Sequence, residues 1–114
     1  MFLGVVFLRA GWAIPITMFE IQFTLEAVED LRSLRKNDQQ QILDTIAGQL
    51  AHQATQQTRN RKRLRPNQLA EWELRVGDFR VFYDVDAEKA VVKIEAVGYK
   101  QGSKLFVHGE EYEL

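Results

Sequence analysis

Phe19, Ile21 and Phe23 alternate with Glu20 and Gln22, the period-two pattern of a strand buried on one face. Thr24 then offers a helix N-cap, followed by Glu26, Glu29 and Asp30 where a helix dipole favours anions. Leu25, Val28, Leu31 and Leu34 fall three apart, with Arg32, Arg35 and Lys36 towards the end, so the pattern predicts a helix of about three turns. Asn37 closes it. Asp38 opens a second helix with Gln41 in capping-box position, and Leu43, Ile46, Ala47 and Leu50, with Ile42 alongside, form its apolar stripe. The two helices read as an antiparallel hairpin, whose glutamines make a polar outer face. After Pro66 the period returns to two: Trp72, Leu74 and Val76, a Gly77-Asp78 turn, then Phe79, Val81, Tyr83 and Val85. A second turn over Asp86 to Lys89 leads into an apolar strand from Ala90 through Val97. The order is β-α-α-β-β-β, and the fold class is α+β, with a helical hairpin packed on an antiparallel sheet.

The first 17 residues differ from the rest of the chain, with 12 of 17 apolar. A signal peptide wants a basic segment before the apolar run, and none precedes Leu3. A membrane helix wants about 20 apolar residues, and Arg9, Gly11 and Pro15 interrupt this run early. Met18 comes directly after it. Residues 1–17 are therefore expected to be an extension upstream of a second start, not essential to the domain at 18–114, with a strand or interface segment as the alternative.

Length and composition fit one modest core: 114 residues, 46% of them apolar, and no cysteine. The lack of cysteine excludes a disulfide framework, a thiolate metal site and a cysteine nucleophile. Two histidines, His52 and His108, make a histidine-rich metal site a poor reading, so no metal or other cofactor is expected. The net charge of −1 hides a strong asymmetry: residues 1–58 carry −2, residues 59–107 carry +4, and residues 108–114 carry −3. Arg59, Arg61, Lys62, Arg63 and Arg65 set five cations within seven residues. Such a run is either a solvated loop or a local positive potential that attracts phosphate, and acidic groups beyond roughly 8–10 Å do not cancel it.

A strand, a helical hairpin, the basic segment Lys62-Arg63-Leu64-Arg65, the hairpin Trp72 to Tyr83, and then Val91-Val92-Lys93-Ile94 and Val97-Gly98-Tyr99-Lys100 resemble, in that order, the RelE/ParE superfamily of bacterial toxins. The resemblance runs from residue 18 to about 107. It implies a cytoplasmic toxin of a type II toxin–antitoxin system, inhibited by a cognate antitoxin protein, with no membrane role and with DNA met only through the antitoxin. RelE-like members cut messenger RNA on the ribosome, while ParE-like members act on DNA gyrase. The first reading makes this chain a metal-independent endoribonuclease that inhibits translation. The alternatives are a gyrase inhibitor, or a weakened homologue that acts mainly by binding its antitoxin.

Metal-free RNA cleavage needs a base for the 2′-hydroxyl, cations for the pentavalent phosphate and an acid for the leaving oxygen. The resemblance implies Arg80 at the scissile phosphate and Lys100 as a second cation, with a point charge in place of an arginine fork. It also implies Arg61, Lys62, Arg63, Arg65 and Arg75 as RNA-backbone contacts. The chain departs from the family pattern elsewhere. Glu71 and Glu73 stand where two lysines alternate in the best-studied RelE pattern, and Phe106 replaces a late tyrosine. Glu71 or Glu73, with Glu73 preferred, is then the general-base candidate and Tyr99 the protic substitute, while His108 reads as solvated. The tail with Glu110, Glu111 and Glu113 is expected to be solvated or helical, with folding back onto the basic groove as the alternative.

Overall fold

The computed structural model describes residues 3–7 and 13–114, with side-chain surroundings from Met18 onward. β1 (Leu3–Phe7) and β2 (Ala13–Thr17) pair antiparallel in a sheet of their own. The main sheet contains β3 (Glu20–Phe23), β4 (Arg61–Arg63), β5 (Trp72–Val76), β6 (Phe79–Asp86), β7 (Val91–Gln101), β8 (Lys104–Val107) and β9 (Glu110–Tyr112). Its order is β4-β5-β6-β7-β8-β9, antiparallel throughout, except that β3 adds parallel to the first half of β7. The connection from β3 carries α1 (Leu25–Arg32) and α2 (Lys36–Gln53), which cover one face of the sheet. The α+β architecture expected from the periodicity is present, enlarged by β4, β8 and β9, which are short and carry too little alternation to announce themselves. Among the described residues no helix is long and apolar enough to cross a membrane.

Local chemistry moved the helix boundaries. Thr24 caps α1 as its position predicts: its Oγ1 accepts from the Ala27 N–H at 3.1 Å and donates to the Glu95 carbonyl at 3.0 Å. The helix stops after two turns, because the Ser33 hydroxyl donates to the Asp30 carbonyl at 2.6 Å and closes the end. Gln39 reaches back to the Leu34 carbonyl at 2.8 Å and satisfies the turn. Lys36 and Asn37, expected at the close of the first helix, therefore belong to α2, with Arg35 at its N-cap and Asp38 in its first turn. The buried stripes are rotated too. α1 buries Ala27 and Leu31 while Leu25 stays 69% exposed, and α2 buries Ile42, Ile46 and Leu50 at strict i, i+4 spacing.

These residues meet Trp72, Leu74, Val76, Val81, Tyr83, Val92, Ile94 and Val97 from the sheet, and this is the main core. Each fully buried aliphatic side chain contributes roughly 1.5–3 kcal/mol. A second, smaller cluster lies on the other face, where Phe82, Ala96, Leu105 and Val107 are covered by Leu64, Leu69, Ala70 and Tyr112. The C-terminal segment is thus neither a solvated nor a helical tail. β9 pairs with β8, Tyr112 packs on this cluster, and Glu111 faces Lys104 at 3.9 Å.

Asp30 ties α1 to the far end of the sheet. One carboxylate oxygen accepts from the Val97 N–H at 3.0 Å and the other meets His108 Nδ1 at 2.8 Å, with the side chain only 9% exposed. Asp30→Ala strands the Val97 donor in the core, so it is expected to cost about 2–3 kcal/mol, with Asp30→Asn costing less than half of that. Urea unfolding of the three proteins checks the ranking; equal midpoints would show that the link carries no stability.

Candidate nucleic-acid interface

Alternation along β5 and β6 sends Trp72, Leu74, Val76, Val81 and Tyr83 to the helices, and hence Glu73, Arg75 and Arg80 to the opposite, open face. The register sets Arg75 directly across from Arg80, and Arg80 across from Gly98. Lys62 on β4 pairs with Glu73, which pairs with Phe82. Lys100, two residues beyond Gly98, occupies the same face and donates to the Ser103 carbonyl at 3.2 Å. The open face therefore carries Lys62, Arg75, Arg80 and Lys100 around the near-buried carboxylate of Glu73, 9% exposed.

Arg80 is the most constrained of these cations. Its guanidinium donates to the Gly77 and Phe79 carbonyls, both at 2.9 Å, and makes no ion pair among the described residues. Partial burial lowers its pKa, with Arg75 adding to the effect and Glu73 and Asp78 opposing it. A cation held without a full solvent shell and facing a second cation gains more from an arriving anion than a freely hydrated one.

Of the residues expected to take part, Glu73, Arg75, Arg80, Lys100 and Lys62 share this face. Arg65 is exposed on the neighbouring loop. Arg63 is exposed at the sheet edge, its guanidinium 5.8 Å from the Trp72 ring centre and 3.4 Å from the Glu71 carboxylate. Two expectations do not match the positions found. Arg61 is 4% exposed and turned to the end of α2, where it donates to the Gln49 and Gln53 carbonyls at 2.9 and 2.7 Å, so it is no surface contact for RNA. Tyr99 pairs with Phe79 in register and lies on the helix face, stacked on Phe106 at 5.4 Å, away from Arg80. His108, bound to Asp30, is on the helix side as well.

What the sequence pattern did not reveal is a carboxyl pair on the open face. The register of β6 against β7 slips between Phe82 and Tyr83, so that Phe82 faces Ala96 and Tyr83 faces Ile94, leaving Glu95 as the extra residue of a bulge. The bulge turns Glu95 to Asp84, whose Oδ1 accepts from the Glu71 N–H at 2.8 Å. Burial, together with the Asp84 carboxyl beside it, pushes the Glu95 pKa up to about 7, against a smaller opposing pull from Lys93. Among the described residues no three His, Asp or Glu side chains are grouped to hold a metal ion.

The model of the ParE toxin of the parDE type II toxin–antitoxin system matches residues 21–102, the span from β3 through β7 that builds both faces of the sheet. A chain of the toxin–antitoxin complex RelBE2 from Mycobacterium tuberculosis superposes with a TM-score of 0.65 and 25% identity, over 74% of this chain and 93% of that one. No curated protein is significantly similar in sequence. The family model takes in the helical hairpin, the basic strand and the Arg80 hairpin together, and the chain belongs to the ParE toxin family of type II toxin–antitoxin systems, within the RelE/ParE superfamily.

Proposed function

We propose that this toxin acts through the cationic open face of its sheet, gripping the phosphate backbone of ribosome-bound messenger RNA and cutting it. The observation that carries this reading is Arg80: a partly desolvated guanidinium without an ion-pair partner among the described residues, set opposite Arg75 and beside Glu73. Cleavage forms a bond from the 2′-oxygen to phosphorus and breaks the bond to the 5′-oxygen, which takes its proton from solvent water. In this reading Arg80 and Lys100 offset the charge that builds on the phosphoryl oxygens, and Glu73 takes the 2′-hydroxyl proton. Lys62, Arg65 and Arg75 hold the flanking phosphates, so affinity should fall steeply with salt. A cognate antitoxin, a partner of the kind that the RelBE2 complex contains, covers this face with acidic and apolar segments and silences it. The acting unit is residues 18–114.

A second reading, inhibition of DNA gyrase, draws on the family model and on the position of Tyr99 and His108, the protic side chains that a nuclease would use, away from Arg80. Purified protein added to translating ribosomes with a defined message separates the two. Codon-positioned cuts are expected that fall by about 100-fold in Arg80→Ala and are unchanged in Tyr99→Phe. Intact message together with arrested supercoiling of plasmid by gyrase would replace the nuclease reading with the second.

A further inference from the structure

On the same side of the sheet as Arg80, a cleft of about 550 Å³ is walled by opposite charges. One wall is the end of β4 and the loop after it, with Arg63, Arg65, Asn67 and Gln68; the other is the Asp84–Glu95 carboxyl pair at the bulge, with Glu71 where the loop meets it. Leu64, Leu69 and Ala70 supply an apolar surface at the base of the loop. The volume is within the range of roughly 300–1,000 Å³ common to small-ligand sites. The loop is preformed: the Asn67 amide donates to the Arg65 and Ala70 carbonyls at 2.7 and 2.9 Å, and its oxygen accepts from the Leu69 and Ala70 N–H groups at 2.7 and 3.1 Å. The far wall is fixed to it through Asp84 and the Glu71 N–H.

We propose that this cleft is a guanine-nucleotide subsite, in which the Asp84–Glu95 pair accepts from N1–H and the exocyclic N2–H of the base while Arg65 engages the attached phosphate. Two carboxyls side by side, with Lys93 no closer than 3.7 Å to Glu95, leave acceptor oxygens that no cation fully consumes. Guanine alone among the four RNA bases offers two adjacent donors on its Watson–Crick edge, and a carboxylate accepts both at once. Adenine puts an acceptor beside its donor and meets repulsion there. Burial and the neighbouring Asp84 carboxyl push the Glu95 pKa up to about 7, so near neutrality Glu95 repels a phosphate less than a fully ionised carboxylate would. Arg65 on the facing wall is the donor that a guanine O6 and N7, or a phosphate, would meet.

The inference rests on the RNA-directed reading only for supposing that the nucleotide belongs to a strand; the subsite itself is tested without ribosomes or cleavage. Titration of the full chain, by calorimetry or by amide shifts, with GMP, AMP, CMP and UMP is expected to show GMP binding about tenfold more tightly than AMP. Glu95→Gln turns an acceptor into a donor and should erase that preference while leaving the fold's amide spectrum otherwise intact. Arg65→Ala should weaken GMP about tenfold and leave the nucleoside guanosine unaffected. Short single strands separate the sources: an RNA pentamer with one central guanine that binds more tightly than both GMP and an all-adenine pentamer identifies RNA as the ligand, and GMP binding without that gain identifies the free nucleotide. Equal affinity for GMP and AMP, full displacement of GMP by inorganic phosphate alone, or indifference to Glu95→Gln each overturns the proposal. Loss of nuclease activity with GMP selectivity intact would overturn the cleavage reading and leave the subsite standing.

Discussion

Arg61→Ala is expected to lower the unfolding free energy by roughly 3–4 kcal/mol, a large share of the roughly 5–15 kcal/mol that holds a domain of this size together. The last turn of α2 leaves carbonyls that take donors from outside the helix, at a partly buried edge of the core. Arg61 fills that role: its guanidinium donates to the Gln49 carbonyl at 2.9 Å, the Gln53 carbonyl at 2.7 Å, the Gln53 side chain at 3.2 Å and Thr58 Oγ1 at 3.4 Å. Its positive charge also sits at the negative end of the helix dipole. Tyr83 donates to the Ala54 carbonyl at 2.8 Å from the sheet below, and burial raises that phenol's pKa while Arg61 opposes the shift. The two side chains therefore fasten α2 to β4 and β6. Arg61→Lys keeps the charge and a donor for the carbonyls, which Nη1 alone serves, but loses the bonds from Nε to Thr58 and from Nη2 to the Gln53 side chain, and should recover about half of the loss. Chemical unfolding reads these differences. Under conditions where Arg61→Ala remains folded, its affinity for RNA should match the parent's, because the side chain never reaches the surface. A surface role would show the reverse: near-native stability with weakened binding.

Arg61 also shows where sequence reasoning stops. In the string Arg59 to Arg65 every cation looks alike, and only the pairing of Arg61 with Leu74, and hence its placement on the helix face, separates it from Lys62 beside it. Period-two alternation was enough to assign Arg80 and Glu73 to the open face, because neighbours of each face the core. The same alternation sets Tyr99 on the opposite side from Lys100, against its standing in for the tyrosine that Phe106 replaces, and the structure follows the alternation. The Glu95 bulge had no such signal. A single inserted residue reverses the facing of everything after it, and nothing in Lys93-Ile94-Glu95-Ala96 marks the slip. The Asp30–His108 link spans 78 residues, a separation over which local pattern is silent. The helix stripes failed by less: three-residue spacing and four-residue spacing both fit a short amphipathic helix, and packing against the sheet chose Ile42, Ile46 and Leu50.

Gly98→Ala is expected to be the other severe substitution, at about 3 kcal/mol, although it adds one methyl group at an ordinary backbone angle. Gly98 is buried in the middle of β7, opposite Arg80 on one side and Val107 on the other. A Cβ there would strike the Phe106 carbonyl and approach Val107 Cγ2 to 2.8 Å. The side chain could rotate; the carbonyl is held in the β7–β8 ladder and cannot. Relief requires β8 to move away from β7, which would open the cluster of Phe82, Ala96, Leu105 and Val107 and shift the strand that flanks Arg80. Gly48 provides the control. It lies mid-helix in α2 with open space around it, so Gly48→Ala should stabilise by roughly 0.5–1 kcal/mol through helix propensity alone. Thermal or urea unfolding of the two alanine variants should therefore move in opposite directions. Were Gly98→Ala as stable as the parent, the close approach of β7 and β8 would be wrong, and with it the C-terminal hairpin's cover over the open face. If instead the variant folds but loses stability as expected, its weakened function would be traceable to β8, because Arg80 itself is anchored by Gly77 and Phe79 on its own hairpin.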